Sequence, residues 1–91
     1  MKIISNKKIL TKIIQKEKKL GFIPTMGAIH KAHLSIVKKC NKSCAKSLVT
    51  IFINKHQFNK KSDYVRYPRF LKRDITLLKK NGVNYLYLPT T

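Results

Sequence analysis

Acidic residues, glycine, proline, cysteine and tryptophan are all scarce in this sequence. Its 91 residues include 3 Asp+Glu, 3 Gly, 3 Pro, 2 Cys and no Trp. With so few glycines, both the Gly-rich dinucleotide fingerprint and the Walker phosphate loop are missing. No Pro/Ser-rich stretch marks a linker between domains, and the length excludes a self-contained two-domain enzyme. We therefore expect one small domain or a piece of a larger one.

Long apolar runs are also missing. No stretch approaches the ~20 residues of a membrane span, and the first residues do not resemble a signal peptide. These absences predict a cytoplasmic protein without a membrane partner, in which Cys40 and Cys44 stay reduced on one face of a helix. A zinc site combining them with His30 and His33 is disfavoured, because the helical rise separates the two pairs by roughly 10 Å or more. We expect no metal held by these side chains.

The formal net charge of +18 is the most conspicuous feature that is present. Such a charge attracts phosphates, nucleic acid and anionic membrane surfaces. However, Arg66, Arg69 and Arg73 are the only arginines among the 21 basic residues, and the lysines are scattered rather than grouped. Base-reading sites favour arginine for its bidentate geometry. A small basic nucleic-acid-binding protein therefore stays an alternative, although we expect no specific nucleic-acid partner.

The hydrophobic pattern alternates between helical and strand periodicity. Apolar spacing predicts helices over about residues 5–19, from 30 or 31 to 41 or 43, and from about 68 to a stop at 81–82. Continuous apolar and β-branched runs predict strands over 20–23, 47–53 and 83–88, with a polar loop over 54–63. This order predicts an α/β fold with a Rossmann-like parallel sheet and flanking helices, incomplete at about three strands and three helices.

Polar side chains cluster in the loops after the first two predicted strands, where such sheets bind ligands. His30 and His33 lie at a helix start, where both can donate hydrogen bonds to a bound phosphate and to a leaving pyrophosphate. On spacing alone, a packed pair is an equally good interpretation. The amides of Asn54 and Gln57 suit a hydroxylated or carboxylated small molecule, or simple loop capping. Asp74 could bind magnesium, support a residue of the site without touching the ligand, or pair with a lysine.

Residues 21–35 read GFIPTMGAIHKAHLS, and this segment closely resembles the signature of the pantoate–β-alanine ligase family, within the HIGH-motif nucleotidyltransferase superfamily. Further blocks follow in the family's order: IFIN at 51–54, QF at 57–58, DY at 63–64, YPR at 67–69, RD at 73–74 and GV at 82–83. The resemblance implies that residues 1–91 are the N-terminal part of a Rossmann-like nucleotide-binding domain. By the same resemblance, we expect the family's smaller C-terminal domain to be absent from these residues.

The resemblance further implies an ATP-dependent condensation of pantoate with β-alanine to pantothenate, through a pantoyl adenylate. Magnesium would accompany ATP, and the protein would be a homodimer. By the same analogy His33 is the proton-donating catalytic residue, His30 contacts the phosphates and Gln57 binds pantoate and β-alanine. The resemblance assigns Asn54 to the same substrates and Asp74 to magnesium or a supporting role, on weaker matches. The implied ATP site consists of Met26, Gly27, Ala28, Ile29, His30, Lys31, Ala32 and His33.

Four positions depart from the family pattern. Ala32 and Asn59 stand where the family has Gly, Lys55 replaces a Pro, and Lys31 occupies a position that is usually acidic. The methyl group of Ala32 is expected to crowd a nucleotide that approaches the backbone closely. Three hypotheses follow. The first is the ATP-site part of a truncated ligase, inactive alone or complemented by a separate C-terminal chain. The second is a non-catalytic remnant that binds nucleotide or a partner, and the third is the nucleic-acid-binding alternative.

Overall fold

The computed structural model describes residues 1–43, 46–52 and 61–89, with side chains from residue 70 onward in the last range. Over these residues, strands and helices alternate strictly along the chain. The elements are β1 (Lys2–Ile4), α1 (Lys7–Lys16), β2 (Leu20–Thr25), α2 (Lys31–Ser43), β3 (Lys46–Ile51), α3 (Lys61–Lys80) and β4 (Tyr85–Tyr87). None of the helices in this described part of the chain is long and apolar enough to cross a membrane.

The four described strands form one parallel sheet in the order β1-β4-β3-β2. In the central pairing, Phe22 lies opposite Leu48 and Ile23 opposite Val49. The order β4-β3-β2 is that of one half of a doubly wound sheet, in which each strand is reached by a helical crossover. The predicted α/β, Rossmann-like architecture is confirmed.

A fourth strand, β1, was not among the three predicted strands. It is too short for its periodicity to be read, but its backbone pairs with β4 from Lys2 to Ile4 and the Ile4 side chain is buried. Forming β1 moves the start of the first helix from the predicted residue 5 to Lys7. Asn6 caps that helix, because its side chain accepts a hydrogen bond from the N–H of Lys8 at 2.7 Å.

Other boundaries differ from the prediction as well. α1 ends at Lys16 instead of near residue 19, β3 spans Lys46–Ile51 instead of 47–53, and β4 spans Tyr85–Tyr87 instead of 83–88. β2 continues through Pro24 to Thr25 instead of ending at residue 23. This is possible because β2 lies at the edge of the sheet, where a missing N–H costs little. α3 begins at Lys61, so Pro68 lies inside the helix and not in its first turn as predicted. Proline is compatible with a first turn but does not require one, and its position alone did not fix the helix start. Residues 53–60, most of the predicted polar loop, lie outside the described residues.

The hydrophobic core lies on both faces of the sheet. On one face, the strands pack against α2 and α3 through a cluster of Ile23, Ile29, Val37, Val49, Ile51, Leu78, Val83 and Leu86. On the other face, α1 contributes to a smaller cluster of Ile4, Ile13, Leu48 and Tyr87. This smaller cluster reaches β2 only through the partly buried Leu20 at its start, and Phe22, further along the strand, is 61% exposed.

α3 ends in a Schellman motif at Gly82, where the sequence predicted that the helix stops. Gly82 has a φ of 80° and donates its N–H to the carbonyl of Lys79, while the N–H of Val83 reaches the carbonyl of Leu78. Leu78 and Val83 both belong to the larger core cluster. The turn therefore directs the chain from α3 straight into the core and on to β4.

Candidate active site

A cleft opens at the carboxyl ends of β2 and β3, where the first predicted ligand loop leaves the sheet. Its volume is about 350 Å³, and it is lined by Pro24, Thr25, Met26, His33, Thr50 and Phe52. A larger cleft of about 620 Å³ lies at the ends of β1 and β4, but none of the predicted site residues lines it. The smaller cleft is therefore the candidate site.

The loop between β2 and α2 turns sharply because two successive residues adopt left-handed conformations. The φ angles are 87° at Gly27 and 54° at Ala28. Glycine adopts such angles freely, whereas alanine does so at a cost of roughly 1–2 kcal/mol. Thr25 supports the turn, since its hydroxyl donates to the carbonyl of Thr50 at 2.9 Å and accepts from the N–H of Gly27 at 3.2 Å.

The carboxylate of Asp74 binds the backbone of the same loop. One oxygen accepts the N–H of Ala28 at 2.9 Å and the other accepts the N–H of Ile29 at 2.8 Å. Asp74 is 0% exposed and belongs to α3. The sequence left three roles open for Asp74: magnesium binding, support of the site, and pairing with a lysine. These contacts favour support of the site, and no ion pair to Asp74 occurs among the described side chains.

Magnesium, which the resemblance implies, does not fit this carboxylate. A protein ligand of Mg²⁺ must offer an oxygen to an open, hydrated coordination shell. The oxygens of Asp74 are buried and already bonded to backbone amides. Within the described part of the chain, no group of three His, Cys, Asp or Glu residues could hold a metal ion. A direct magnesium role for Asp74 therefore finds no support in its surroundings.

The rings of His30 and His33 both accept hydrogen bonds from backbone amides at the start of α2. The N–H of His30 donates to Nδ1 of His33 at 3.1 Å, and the N–H of Ala32 donates to Nδ1 of His30 at 3.2 Å. The ring centroids are 4.1 Å apart, with an angle of 40° between the planes. This arrangement resembles a capping box, except that the side chain of the N-cap residue His30 accepts the amide of Ala32 and not that of His33.

The capping contacts decide which ring nitrogen carries the proton. An Nδ1 that accepts a hydrogen bond is unprotonated, so each neutral ring has its proton on Nε2. Both Nε2–H groups are left as donors beside the N-terminus of α2, where the helix dipole also favours an anion. The arrangement can bind phosphate oxygens and stabilise negative charge that develops on them.

The pKa of His33 lies below its ordinary value, chiefly because burial disfavours the charged ring. The neighbouring His30 lowers this pKa further, whereas Asp74 opposes both effects by favouring the imidazolium. The net direction keeps His33 neutral near pH 7. It can then donate a hydrogen bond from Nε2 without bringing a full charge into the site.

A sequence model of the family described as pantoate-beta-alanine ligase matches residues 2–91, which is almost the whole chain. The chain belongs to the pantoate–β-alanine ligase family. The pantothenate synthetase of Pseudothermotoga lettingae is 43% identical, with 98% of this chain and 32% of that protein covered. The pantothenate synthetase of Endomicrobium trichonymphae is 40% identical, with 99% and 33% covered. The chain thus spans about a third of the length of the curated relatives that it matches.

Solved structures give the same family. The pantoate-beta-alanine ligase of Francisella tularensis, crystallised with beta-gamma ATP and beta-alanine, has a TM-score of 0.79 and 39% identity, covering 98% of this chain and 35% of that one. The pantothenate synthetase of Thermus thermophilus has a TM-score of 0.73 and 34% identity, covering 99% and 32%. At these identities the likeness extends to the family as well as the fold.

The residues that the ligase resemblance assigns to ATP all fall in the loop and the first turn of α2, but their side chains differ in placement. Met26 is exposed beside the cleft, and Lys31 and Ala32 are exposed at the start of the helix. The Ile29 side chain is fully buried in the larger core cluster, so only its backbone belongs to the site surface. Asn54 and Gln57, assigned to pantoate and β-alanine, lie outside the described residues.

Sequence reasoning missed the two threonines of the cleft. Thr25 and Thr50 are joined by a hydrogen bond across the ends of β2 and β3, and both line the cleft. Each is a polar residue near the carboxyl end of an apolar parallel strand. That position, where ligands of such sheets bind, was the available signal.

Proposed function

We propose that this chain forms the ATP-binding part of an enzyme that joins pantoate to β-alanine through a pantoyl adenylate. The observation that carries the proposal is the capping of the α2 start by His30 and His33, which leaves two Nε2–H donors at one helix N-terminus, with His33 lining the cleft. The Francisella tularensis relative, whose structure holds beta-gamma ATP and beta-alanine, supports this assignment. A cytoplasmic location stays a prediction.

In the proposed reaction, ATP lies with its phosphates against the first turn of α2. Attack of the pantoate carboxylate on the α-phosphorus forms the acyl–phosphate bond and breaks the bond to pyrophosphate. His30 and His33 donate their Nε2–H groups to the oxygens on which charge grows, so they act more strongly in the transition state than in the ground state. Magnesium enters this proposal only as a companion of ATP. Removal of one such donor typically costs about 10²–10³-fold in kcat.

Binding of pantoate and β-alanine is assigned to Asn54 and Gln57. Their amides are proposed to hold the carboxylate and hydroxyl groups of pantoate and then β-alanine, which brings the reacting atoms into line. This assignment rests on the resemblance alone. Replacement of Gln57 by Ala is expected to raise the KM for pantoate more than the KM for ATP.

A complementing part of the ligase is proposed to cover the free edge of β2. Support comes from the edge position of this strand, from the exposure of Phe22 and Pro24, and from the third of the relatives' length that the chain spans. A parallel strand paired with this edge would satisfy its open backbone groups, apart from Pro24, which has no N–H to donate, and would cover Phe22. The homodimer implied by the resemblance stays a prediction that sedimentation of the chain, alone and complemented, would test.

Pyrophosphate release from ATP, with pantoate and magnesium present, tests the proposal. The chain is assayed alone and with a separately expressed C-terminal part of a relative. We expect release that depends on pantoate in the mixture, and a loss of about 10²-fold or more with His33→Ala. Lys38→Ala, on an exposed position of α2, is the matched control and should retain turnover.

Two other outcomes would favour the other hypotheses. ATP binding by the chain without turnover in any mixture would favour a non-catalytic remnant. Binding to one nucleic-acid sequence or structure in preference to others, at physiological salt, would favour the nucleic-acid alternative, since non-specific attraction is expected from the charge alone.

A further inference from the structure

We propose that Asp74 is a positioning residue, which sets the orientation of His30 and His33 by holding the backbone of the loop that precedes them. The inference rests on the proposed function for its catalytic consequence. It goes beyond that function because it gives a role in the ATP site to a buried residue of a different helix. Among the described contacts Asp74 makes no hydrogen bond to either histidine ring, and its charge acts on His33 only by opposing the lowering of that ring's pKa.

The first step of the argument is the geometry of the carboxylate. Its two oxygens accept the N–H groups of two consecutive residues, Ala28 and Ile29, which lie 46 and 45 positions away in the sequence. Two consecutive amides converge on one carboxylate here because Gly27 and Ala28 both have positive φ angles. Hydrogen bonds from amides to a carboxylate are roughly twice as strong as those between neutral groups. They can therefore hold Ala28 in a conformation that it would otherwise avoid.

The second step connects this loop to the imidazoles. His30 follows Ile29 directly, and its N–H binds Nδ1 of His33. The orientation of that N–H is set by the loop backbone, so a change at Ala28 and Ile29 alters the contact that orients the His33 ring. Burial leaves the carboxylate little room to move, since Asp74 is 0% exposed and Ile29 packs in the core beside it. The fixed loop thus keeps both Nε2–H donors in place before ATP binds.

A purely structural tether would predict a different pattern of effects. Loss of a tether lowers the free energy of unfolding and leaves the folded fraction fully active. Loss of a positioning contact misplaces the donors, and a displacement of about 1 Å can cost 10²-fold in rate. Because the histidines act mainly in the transition state, kcat should fall much more than the affinity for ATP.

Asp74→Asn is the test variant, because it keeps the shape of the side chain but offers one acceptor oxygen to the two amides. Glu17→Gln is the matched control, since it alters a second hydrogen-bonded carboxylate at the opposite, amino-terminal end of β2. Both variants are compared with the unaltered 91-residue chain at temperatures where each is folded. The imidazole ¹⁵N signals of His30 and His33 are recorded, and kcat and the KM for ATP are measured in the complemented ligase.

We expect Asp74→Asn to shift the imidazole signals and to lower kcat by about 10²-fold with less than a threefold change in the KM for ATP. The control should change neither quantity. Unchanged imidazole signals in folded Asp74→Asn would overturn the proposal, as would shifted signals with an unchanged kcat, which would leave Asp74 a tether alone. Should Asp74→Asn not fold, amide exchange in the unaltered chain decides, because the amides of Ala28 and Ile29 must exchange far more slowly than they do in the unfolded chain.

The two proposals fail in distinguishable ways. Absence of pyrophosphate release in every complemented mixture would contradict the ligase function, while the imidazole signals and amide exchange would still judge the contact with Asp74. Normal release by the unaltered protein, together with unprotected amides at Ala28 and Ile29, would contradict the role of Asp74 alone.

Discussion

The two histidines illustrate how backbone hydrogen bonds select the chemical state of a side chain. Without the capping contacts, a neutral histidine exchanges freely between its two tautomers. Here the N–H groups of His30 and Ala32 occupy both Nδ1 atoms, and the available protons are directed outward on Nε2. A helix start built in this way combines structural capping with anion recognition, and neither task requires a charged ring.

We predict that long-range ¹H–¹⁵N spectra near pH 7 will show a protonated Nε2 and an unprotonated Nδ1 in both rings. His33 should titrate below its ordinary pKa because of burial and of His30. Since the folded pKa is lowered, the unfolded chain binds the proton more readily, and the stability contributed by neutral His33 is complete above about pH 6.5 and lost as the pH falls. A proton on Nδ1 of either ring would contradict the capping geometry.

At the scale of elements, the Schellman turn after α3 ties the last helix to the last strand. Gly82 has a φ of 80°, and a Cβ added there would lie 3.2 Å from the side-chain nitrogen of Asn41 in α2. Both the conformation and the contact therefore oppose a larger residue.

We expect Gly82→Ala to lower the free energy of unfolding by about 1–2 kcal/mol, mainly through the positive φ. Urea denaturation would measure the change. Lys79→Ala, one turn earlier at an exposed helical position, is the control and should change the stability by less than about 0.5 kcal/mol. Equal stabilities for the two variants would mean that the turn does not constrain the end of α3.

A second contact between elements lies at the amino-terminal end of the sheet. Glu17 follows α1 and accepts the Tyr85 hydroxyl at 2.7 Å, and it pairs with Lys46 at 3.1 Å. These two partners, the tyrosine first, lower the pKa of Glu17 below its ordinary value of 4.5, and the same hydrogen bond raises the pKa of Tyr85. The contact joins the end of α1 to β3 and β4.

We predict that Glu17→Gln lowers the melting temperature near pH 7 and that the difference from the unaltered chain shrinks in acid. The folded pKa is lowered, so the stabilisation is present above about pH 4.5 and is lost as the pH falls through the folded value. Melting curves between pH 7 and pH 3 would measure this. A difference that is constant across that range would show that ionisation of Glu17 contributes nothing.

For the molecule as a whole, the sequence predicted the layers better than the long-range contacts. The apolar runs of β2 and β3 and the periodicity of α2 depend on local pattern, and all three elements lie within about two residues of their predicted bounds. The pairing of β1 and the hold of Asp74 on the loop at Ala28 depend on residues far apart in the chain. Local periodicity carries no information about such contacts. The hydrogen bonds around His30 and His33 could therefore be identified only from the structure.

The charge of the whole molecule leads to the last prediction. Against 21 basic residues stand three acids, of which Glu17 is engaged with Tyr85 and Lys46, and Asp74 with backbone amides. Mutual repulsion among the lysines therefore destabilises the folded state, and salt should relieve it, because the screening length falls from about 30 Å at 0.01 M to about 10 Å at 0.1 M.

We expect the melting temperature of the chain to rise between 0.01 M and 0.3 M sodium chloride. The matched variant replaces Lys12, Lys38 and Lys72, one exposed lysine on each helix, by Gln. It should melt higher than the unaltered chain at low salt and gain less from added salt, since fewer charges repel one another. A melting temperature that is independent of salt would mean that the charges lie too far apart to oppose folding, and attraction of phosphate-bearing ligands over long distances would then be weak as well.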